Sequence, residues 1–121
     1  MTCIFRVDGE GIRVRLRQWA QSLGEADSNV LAVVLFGSFA RGDYTAASDA
    51  DVLILLRSSS LRFDERIPLY RPQRIGVSVD VFPYTLQEAR QSVKEGWGVV
   101  PIALQEGETL YCAVTSLQEL W

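Results

Sequence analysis

The chain has 121 residues, which fits a single compact domain over residues 1–121 and leaves little room for a second. Hydrophobic residues make up 48% and charged residues 22%, a balance that excludes a disordered chain and is typical of a globular one. The net charge of -3 argues against a basic surface that tracks long nucleic acids.

Other functions are excluded by what the composition lacks. No segment has the roughly 20 consecutive apolar residues of a membrane span, and the N-terminus has no apolar signal core, so we expect a cytoplasmic protein. Histidine is absent, which leaves carboxylates as the main groups for metal or acid–base chemistry. We interpret Cys3 and Cys112 as reduced packing residues.

The first elements are an amphipathic helix and a buried strand. Residues 11–23 place Ile12, Leu16, Trp19, Ala20 and Leu23 on one stripe at helical spacing. Val30–Phe36 is a continuous apolar run rich in β-branched residues, which predicts a strand covered on both faces. Gly37 and Ser38 break this strand, and a short helix over residues 39–44 is expected to follow.

Two more strands are predicted beyond this turn. The apolar run at residues 51–56 indicates one, and the alternating pattern at residues 75–84 indicates another, with Asp80 on the face opposite Val79 and Val81. The arginine-rich stretch between them, residues 57–74, contains two prolines and is expected to be mostly loop.

The C-terminal part is predicted to hold a helix and a hairpin. Thr85 and Glu88 form a capping box at the start of a helix over residues 85–95. Residues 101–112 are expected to form a hairpin that turns at Glu106 and Gly107, and residues 116–121 to begin another helix. The predicted fold is α/β (α+β): a mixed, twisted sheet of about four to five strands with helices mainly on one face.

The turn at Gly37 and Ser38 is a candidate phosphate site. A helix N-terminus presents free backbone N–H groups, and a glycine lets a phosphate approach the backbone closely. Ser38 as a simple N-cap residue after a tight turn explains the same pattern equally well.

Three aspartates form the second candidate feature. Asp49 and Asp51 lie two apart at the start of a strand, so both carboxylates project from one side. The pattern around Asp80 predicts a largely buried position, where a carboxylate needs a metal or an arginine partner such as Arg41 or Arg74. If the second and third strands are neighbours, the three acids can meet around Mg²⁺, which prefers oxygen ligands. A capping Asp49 with an exposed Asp51 remains the alternative.

The combined motif resembles a known family. Gly37-Ser38, Asp49-Ala50-Asp51-Val52 and the later Asp80 are similar to the signature of the DNA polymerase β-like nucleotidyltransferase superfamily. The longer run GSFARGDYTAASDADVLI looks like its minimal nucleotidyltransferases, and the similarity spans about residues 30–111.

The resemblance implies a role for each matching residue. Gly37 and Ser38 would hold the triphosphate of ATP, Asp49 and Asp51 would ligate two Mg²⁺ ions, and Asp80 would complete the metal site and help to activate the acceptor hydroxyl. Two such cations polarise the α-phosphate and stabilise the leaving pyrophosphate.

Several arginines are candidates for further ligands. Arg41 lies one helical turn beyond Ser38 and is predicted to bind nucleotide phosphate; a salt bridge with Asp43 or a later carboxylate is the alternative. Arg66, Arg71 and Arg74 are candidates for gripping an acceptor, against the interpretation of a solvated loop.

The small size of the chain bears on its acceptor, because the larger relatives carry an extra helical domain that holds the acceptor or base. The resemblance implies an antitoxin that AMPylates a tyrosine hydroxyl of a HEPN-type toxin, with the arginine-rich first helix, Trp97 or Trp121 as a docking face. Two alternatives stay open: a small-molecule transferase of the aminoglycoside type, as a homo-oligomer, and a non-catalytic antitoxin that only binds its partner.

Overall fold

The computed structural model describes residues 8–45 and 48–121. Cys3 therefore lies outside the described residues, whereas Cys112 is a free, half-buried cysteine, as predicted. Within these two ranges no helix is both long and apolar enough to cross a membrane. The elements in chain order are α1 (Gly9–Ala26), β1 (Val30–Phe36), α2 (Ser38–Arg41), β2 (Ala50–Leu56), α3 (Phe63–Tyr70), β3 (Val79–Thr85), α4 (Leu86–Glu95), α5 (Val100–Glu106), β4 (Glu108–Cys112) and a 3-10 turn (Leu117–Leu120).

The strands form one mixed sheet in the order β3-β2-β1-β4, which confirms the predicted fold class. β1 pairs antiparallel with β2 and with β4, while β2 and β3 are parallel and are joined through α3. All seven residues of the central strand β1 are buried, as its continuous apolar sequence predicts. Fully burying one valine or leucine side chain contributes about 1.5–3 kcal/mol, so β1 anchors the domain.

Helices cover both faces of the sheet, not mainly one as the sequence analysis expects. α1 buries Ile12, Leu16 and Ala20 against the face that carries Val33 and Ile54. The opposite face packs against α4, α5 and the 3-10 turn, through Ala89, Val100, Ala103 and Leu120. A central strand that is apolar on both sides needs a cover on both sides, which is the physical reason for this correction.

The stretch over residues 57–74, predicted to be mostly loop, contains a helix that the sequence does not predict, α3. This helix has Pro68 inside it and only eight residues, so its local propensity is weak. Ile67 and Tyr70 pack against the core on the α1 side, and a buried Arg66 ties the helix to β3 and α4. Tertiary contacts, not local sequence, stabilise α3.

The predicted hairpin over residues 101–112 is also wrong. Its first half is α5, with Pro101 in the first turn, where a missing N–H costs nothing. Its second half is β4, which pairs with the distant β1 and not with a strand next to it in the sequence. Gly107 allows this path, since a Cβ there would collide with the carbonyl oxygen of Ala103 and with Val34.

The remaining elements agree with the predictions to within a few residues. α4 begins with the predicted capping box, in which the Glu88 N–H donates to the Thr85 hydroxyl at 3.2 Å. β3 begins at Val79 rather than Ile75, because Arg74 and Gly76 adopt positive φ angles of 61° and 108° that interrupt a strand. The predicted C-terminal helix is a single 3-10 turn.

Candidate active site

The turn after β1 has a backbone conformation that only glycine adopts readily. Gly37 is buried and has φ 77° and ψ -154°, a region that is essentially closed to residues with a side chain. A Cβ at this position would also collide with Oδ2 of Asp51. Gly37 itself is the N-cap of α2 and Ser38 is the first helical residue, so the alternative of Ser38 as the N-cap is wrong.

Two of the three predicted aspartates lie side by side on neighbouring strands. Asp51 in β2 is the register partner of Asp80 in β3 and, on its other side, of Phe36 at the end of β1. Adjacent strands lie about 4.8 Å apart, so the two carboxylates leave the sheet as neighbours. Asp49 lies just before the start of β2, and its negative charge acts on Asp51. The structure thus brings the three acids to one end of the sheet, next to the Gly37 turn.

The burial of Asp80 differs from the prediction. Asp80 is exposed, as is Asp49, while Asp51 is half-buried. β3 is an edge strand, and Asp80, its second residue, is exposed. A sequence pattern shows which face a residue occupies but not whether that part of the face is covered, which is why the expectation failed.

The site is electrostatically acidic around Asp51. Burial raises the pKa of the Asp51 carboxyl, and the negative charges of Asp80 and Asp49 raise that pKa further. Arg41 opposes these effects, and Glu106 adds a smaller one in the same direction as the aspartates. Among the described residues, Arg41 is the cation whose charge lowers the pKa of Asp51, against three acids whose charges raise it.

The donor chemistry fits a divalent cation. The carboxylates of Asp49, Asp51 and Asp80 lie near the Gly37 turn, and hard oxygen donors of this kind suit Mg²⁺. Within residues 8–45 and 48–121, however, no three histidine, cysteine, aspartate or glutamate side chains are placed closely enough to hold a metal ion. The acids are close enough to affect the pKa of Asp51, but they do not form a preassembled metal site in the described residues.

Arg41 is held at the mouth of this site by two acids. Its Nε donates to Oδ2 of Asp43 at 3.1 Å, and its Nη1 donates to both carboxylate oxygens of Glu106, at 3.2 and 3.1 Å. These contacts raise the pKa of Arg41, with the Asp43 hydrogen bond as the largest cause. The alternative of a salt bridge with Asp43 and a later carboxylate is thus present in the structure.

Sequence reasoning missed Glu106 as a site residue. The sequence pattern predicts a hairpin turn at Glu106, whereas Glu106 ends α5 and its side chain pairs with Arg41. Its position depends on where α5 packs, and no local motif encodes that. A lone acid followed by Gly107 is the only signal, and it is weak.

Arg66 is not available to grip an acceptor. Its side chain is 4% exposed and donates to the carbonyl oxygens of Leu61 and Pro83 and to Glu88. Arg71 and Arg74 are exposed. For them the predicted acceptor contact remains a prediction.

Two solved structures of other proteins share this fold. A solved structure of a "putative nucleotidyltransferase" from Sulfolobus solfataricus has the same fold, with a TM-score of 0.56, 17% identity, and coverage of 92% of this chain and 94% of that one. A second structure, described as a toxin-antitoxin with AMP-PNP, has a TM-score of 0.52 and 17% identity over 94% of this chain and 78% of that one.

The chain belongs to the nucleotidyltransferase domain family, whose model matches residues 16–108, and it is a nucleotidyltransferase. The match includes the Gly37 turn and all three aspartates. A relative from Methanocaldococcus jannaschii, named "Putative protein adenylyltransferase MJ0604", is 35% identical over 79 residues, which cover 65% of this chain and 76% of that protein.

Proposed function

We propose that this enzyme transfers AMP from ATP to a hydroxyl group of a partner protein, as the antitoxin of a toxin–antitoxin pair. The observation that carries the transfer chemistry is the acidic row itself: Asp51 and Asp80 in register, with Asp49 beside them and Gly37 at the end of β1. The relative's printed name, a protein adenylyltransferase, supports a protein as acceptor. The toxin-antitoxin neighbour with AMP-PNP supports an adenine nucleotide and a toxin partner.

Each site residue has a role in this proposal. Gly37 and Ser38 receive the triphosphate at the start of α2, where backbone N–H groups are free and no side chain intervenes at Gly37. Asp49, Asp51 and Asp80 hold Mg²⁺, with two ions as the resemblance implies. When bound, the metal neutralises the triphosphate and stabilises the departing pyrophosphate.

The transfer itself is an in-line displacement at the α-phosphorus. The acceptor hydroxyl oxygen forms a bond to this phosphorus, and the bond to the α,β-bridging oxygen breaks, so pyrophosphate leaves with that electron pair. Asp80 is exposed and can meet an incoming macromolecule, so it is the residue that takes the hydroxyl proton. Arg41 lies beside Asp51 and contributes positive charge toward the phosphates.

The proposed partner is a HEPN-type toxin, with one of its tyrosine hydroxyls as acceptor, as the family resemblance implies. The exposed position of Asp80 at an edge strand supports a large acceptor, since no part of the described chain closes over it.

The test uses ATP labelled at the α-phosphate, Mg²⁺, the purified protein and its co-purified partner. We expect the label on the partner protein, dependent on metal and absent with Asp51→Asn. Label on a small molecule would replace the protein acceptor with a small-molecule one. Capture of the partner without any transfer of label would support the non-catalytic antitoxin instead.

A further inference from the structure

Glu106 occupies a position where a negative charge is disfavoured twice. It ends α5, and the C-terminus of a helix carries partial negative charge that opposes an acid there. Its charge also raises the pKa of Asp51, so it adds to an already acidic site. Among the described residues, Glu106 forms an ion pair with Arg41 alone. A carboxylate at this position therefore suggests a role for its ion pair with Arg41.

The structure fixes Glu106 firmly relative to β1. Gly107 follows it immediately and lies against Val34 and the carbonyl oxygen of Leu35, close enough that no Cβ would fit. The Gly107 N–H donates to the carbonyl oxygen of Ala103 at 2.8 Å, which closes the last turn of α5. The Glu106 side chain is 23% exposed and therefore largely enclosed. Its backbone is held in place by the Gly107 contacts.

The hydrogen bonds divide the Arg41 guanidinium into used and unused edges. Asp43 accepts from Nε and Glu106 accepts from Nη1, whereas Nη2 donates to no acceptor in the part of the chain that the structure describes. The Arg41 side chain is 48% exposed. A planar guanidinium fixed on two sides presents its remaining N–H groups in one direction, which suits a phosphate oxygen.

We propose that Glu106 is a positioning residue for nucleotide binding: it holds Arg41 beside the Asp51 site so that the free Nη2 edge receives the triphosphate. This inference rests on the proposed function and adds a residue from a distant part of the chain. Without Glu106, Arg41 would keep only Asp43, which follows it by two residues on the chain and is exposed, and would lose side-chain entropy on binding.

The test measures KM for MgATP and kcat of Glu106→Gln, Glu106→Ala, Arg41→Ala and the double variant. Separately, calorimetry measures the Kd of an ATP analogue with a methylene group between the α- and β-phosphates. We expect Glu106→Ala to raise both KM and Kd about tenfold with little change in kcat, because a ground-state contact is lost. Glu106→Gln should show a smaller increase, since its amide oxygen still accepts from Nη1.

The double variant separates positioning from a direct or a general effect. In the Arg41→Ala background, Glu106→Ala should change Kd less than twofold, because the arginine that Glu106 positions is gone. Equal effects of Glu106→Ala with and without Arg41 would overturn the inference. A loss of thermal stability with unchanged KM and Kd would also overturn it, since that is what a purely structural residue would show.

Glu108→Gln is the matched control. It removes the same charge two residues away, where Glu108 pairs with Arg13 and Arg17 of α1. Arg13 also donates to the Phe39 carbonyl oxygen of α2, so this variant weakens the support of α2 without removing the Arg41 contact. An increase in KM as large as that of Glu106→Gln would show that any ion-pair loss in this region suffices, and would contradict the proposal. Failure of the proposed function looks different: the wild-type protein would then transfer no label, whereas the analogue titration would still report on Arg41 and Glu106. A wild type that binds no nucleotide would overturn both.

Discussion

Arg41 and Arg66 are the same residue type in two opposite settings of one small domain. Arg66 lies at the far end of the β2–β3 pair, 4% exposed, with hydrogen bonds to two backbone carbonyls and to Glu88. Arg41 lies at the acidic end, half-exposed, and its Nη2 donates to no acceptor among the described residues, near three acids that raise the pKa of Asp51. The difference indicates that one end of the sheet is stabilised by satisfied charge, while the other keeps unbalanced charge for a ligand.

The largest expected effect comes from removing charge at the acidic end. Asp51→Asn should lower nucleotidyl transfer about 10²- to 10³-fold, because an electrostatic element of the transition state is lost. The same change should leave the ligand-free protein at least as stable, because burial and the charges of Asp80 and Asp49 disfavour the ionised Asp51. Transfer assays check the loss of activity, and thermal unfolding without metal checks the stability. A clear fall in Tm would contradict the view that the charge of Asp51 is unfavourable in the ligand-free protein.

The opposite result is expected at the satisfied end. Arg66→Met should destabilise the domain by about 3 kcal/mol, because the carbonyl oxygens of Leu61 and Pro83 and the Glu88 carboxylate lose their shared donor. Urea unfolding measures this, and transfer activity at low temperature should persist in the folded fraction. The exposed Arg71→Met is the matched control, with a change within about 0.5 kcal/mol. Similar losses for both variants would contradict the assignment.

A smaller loss is expected from the glycine turn. Gly37→Ala forces a side chain into a backbone region that is essentially restricted to glycine, at a cost of about 1–3 kcal/mol, and places its Cβ against Asp51. Both transfer and stability should therefore fall. Gly96→Ala, at an exposed helix end with φ 75° and open space around it, should lower stability while transfer per folded molecule stays unchanged. Equal effects of the two variants on transfer per folded molecule would contradict a role of Gly37 in the active site.

The smallest effect is a pH dependence at the satisfied end. The hydrogen bonds from Arg66 lower the pKa of Glu88 below its ordinary value of 4.5, so the ionised form stabilises the folded state. This contribution is complete above pH 4.5 and is lost as the pH falls through the lower, folded-state pKa. The difference in unfolding free energy between wild type and Glu88→Gln, under about 1 kcal/mol for a partly exposed acid, should shrink along that path. A difference that stays constant down to pH 3 would contradict it.

The elements that the sequence predicted correctly are those with strong local patterns. Val30–Phe36 is apolar at every position and is β1, residue for residue. The Thr85 and Glu88 capping box marks the start of α4 correctly. α3 and α5 were missed because each has eight residues or fewer and contains a proline, so contacts elsewhere in the domain decide their conformation.

For the site, the sequence by itself determined the glycine turn and the pairing of acids by face. Gly37 follows from the break after β1, and the two-residue spacing of Asp49 and Asp51 follows from the strand period. Only the tertiary structure decided that β2 and β3 are neighbours in register, that Asp80 is exposed, that Arg66 is buried and that Glu106 reaches Arg41. The physical reason is range: backbone geometry fixes what lies within a few residues, whereas burial and ion pairing depend on which distant surfaces pack together.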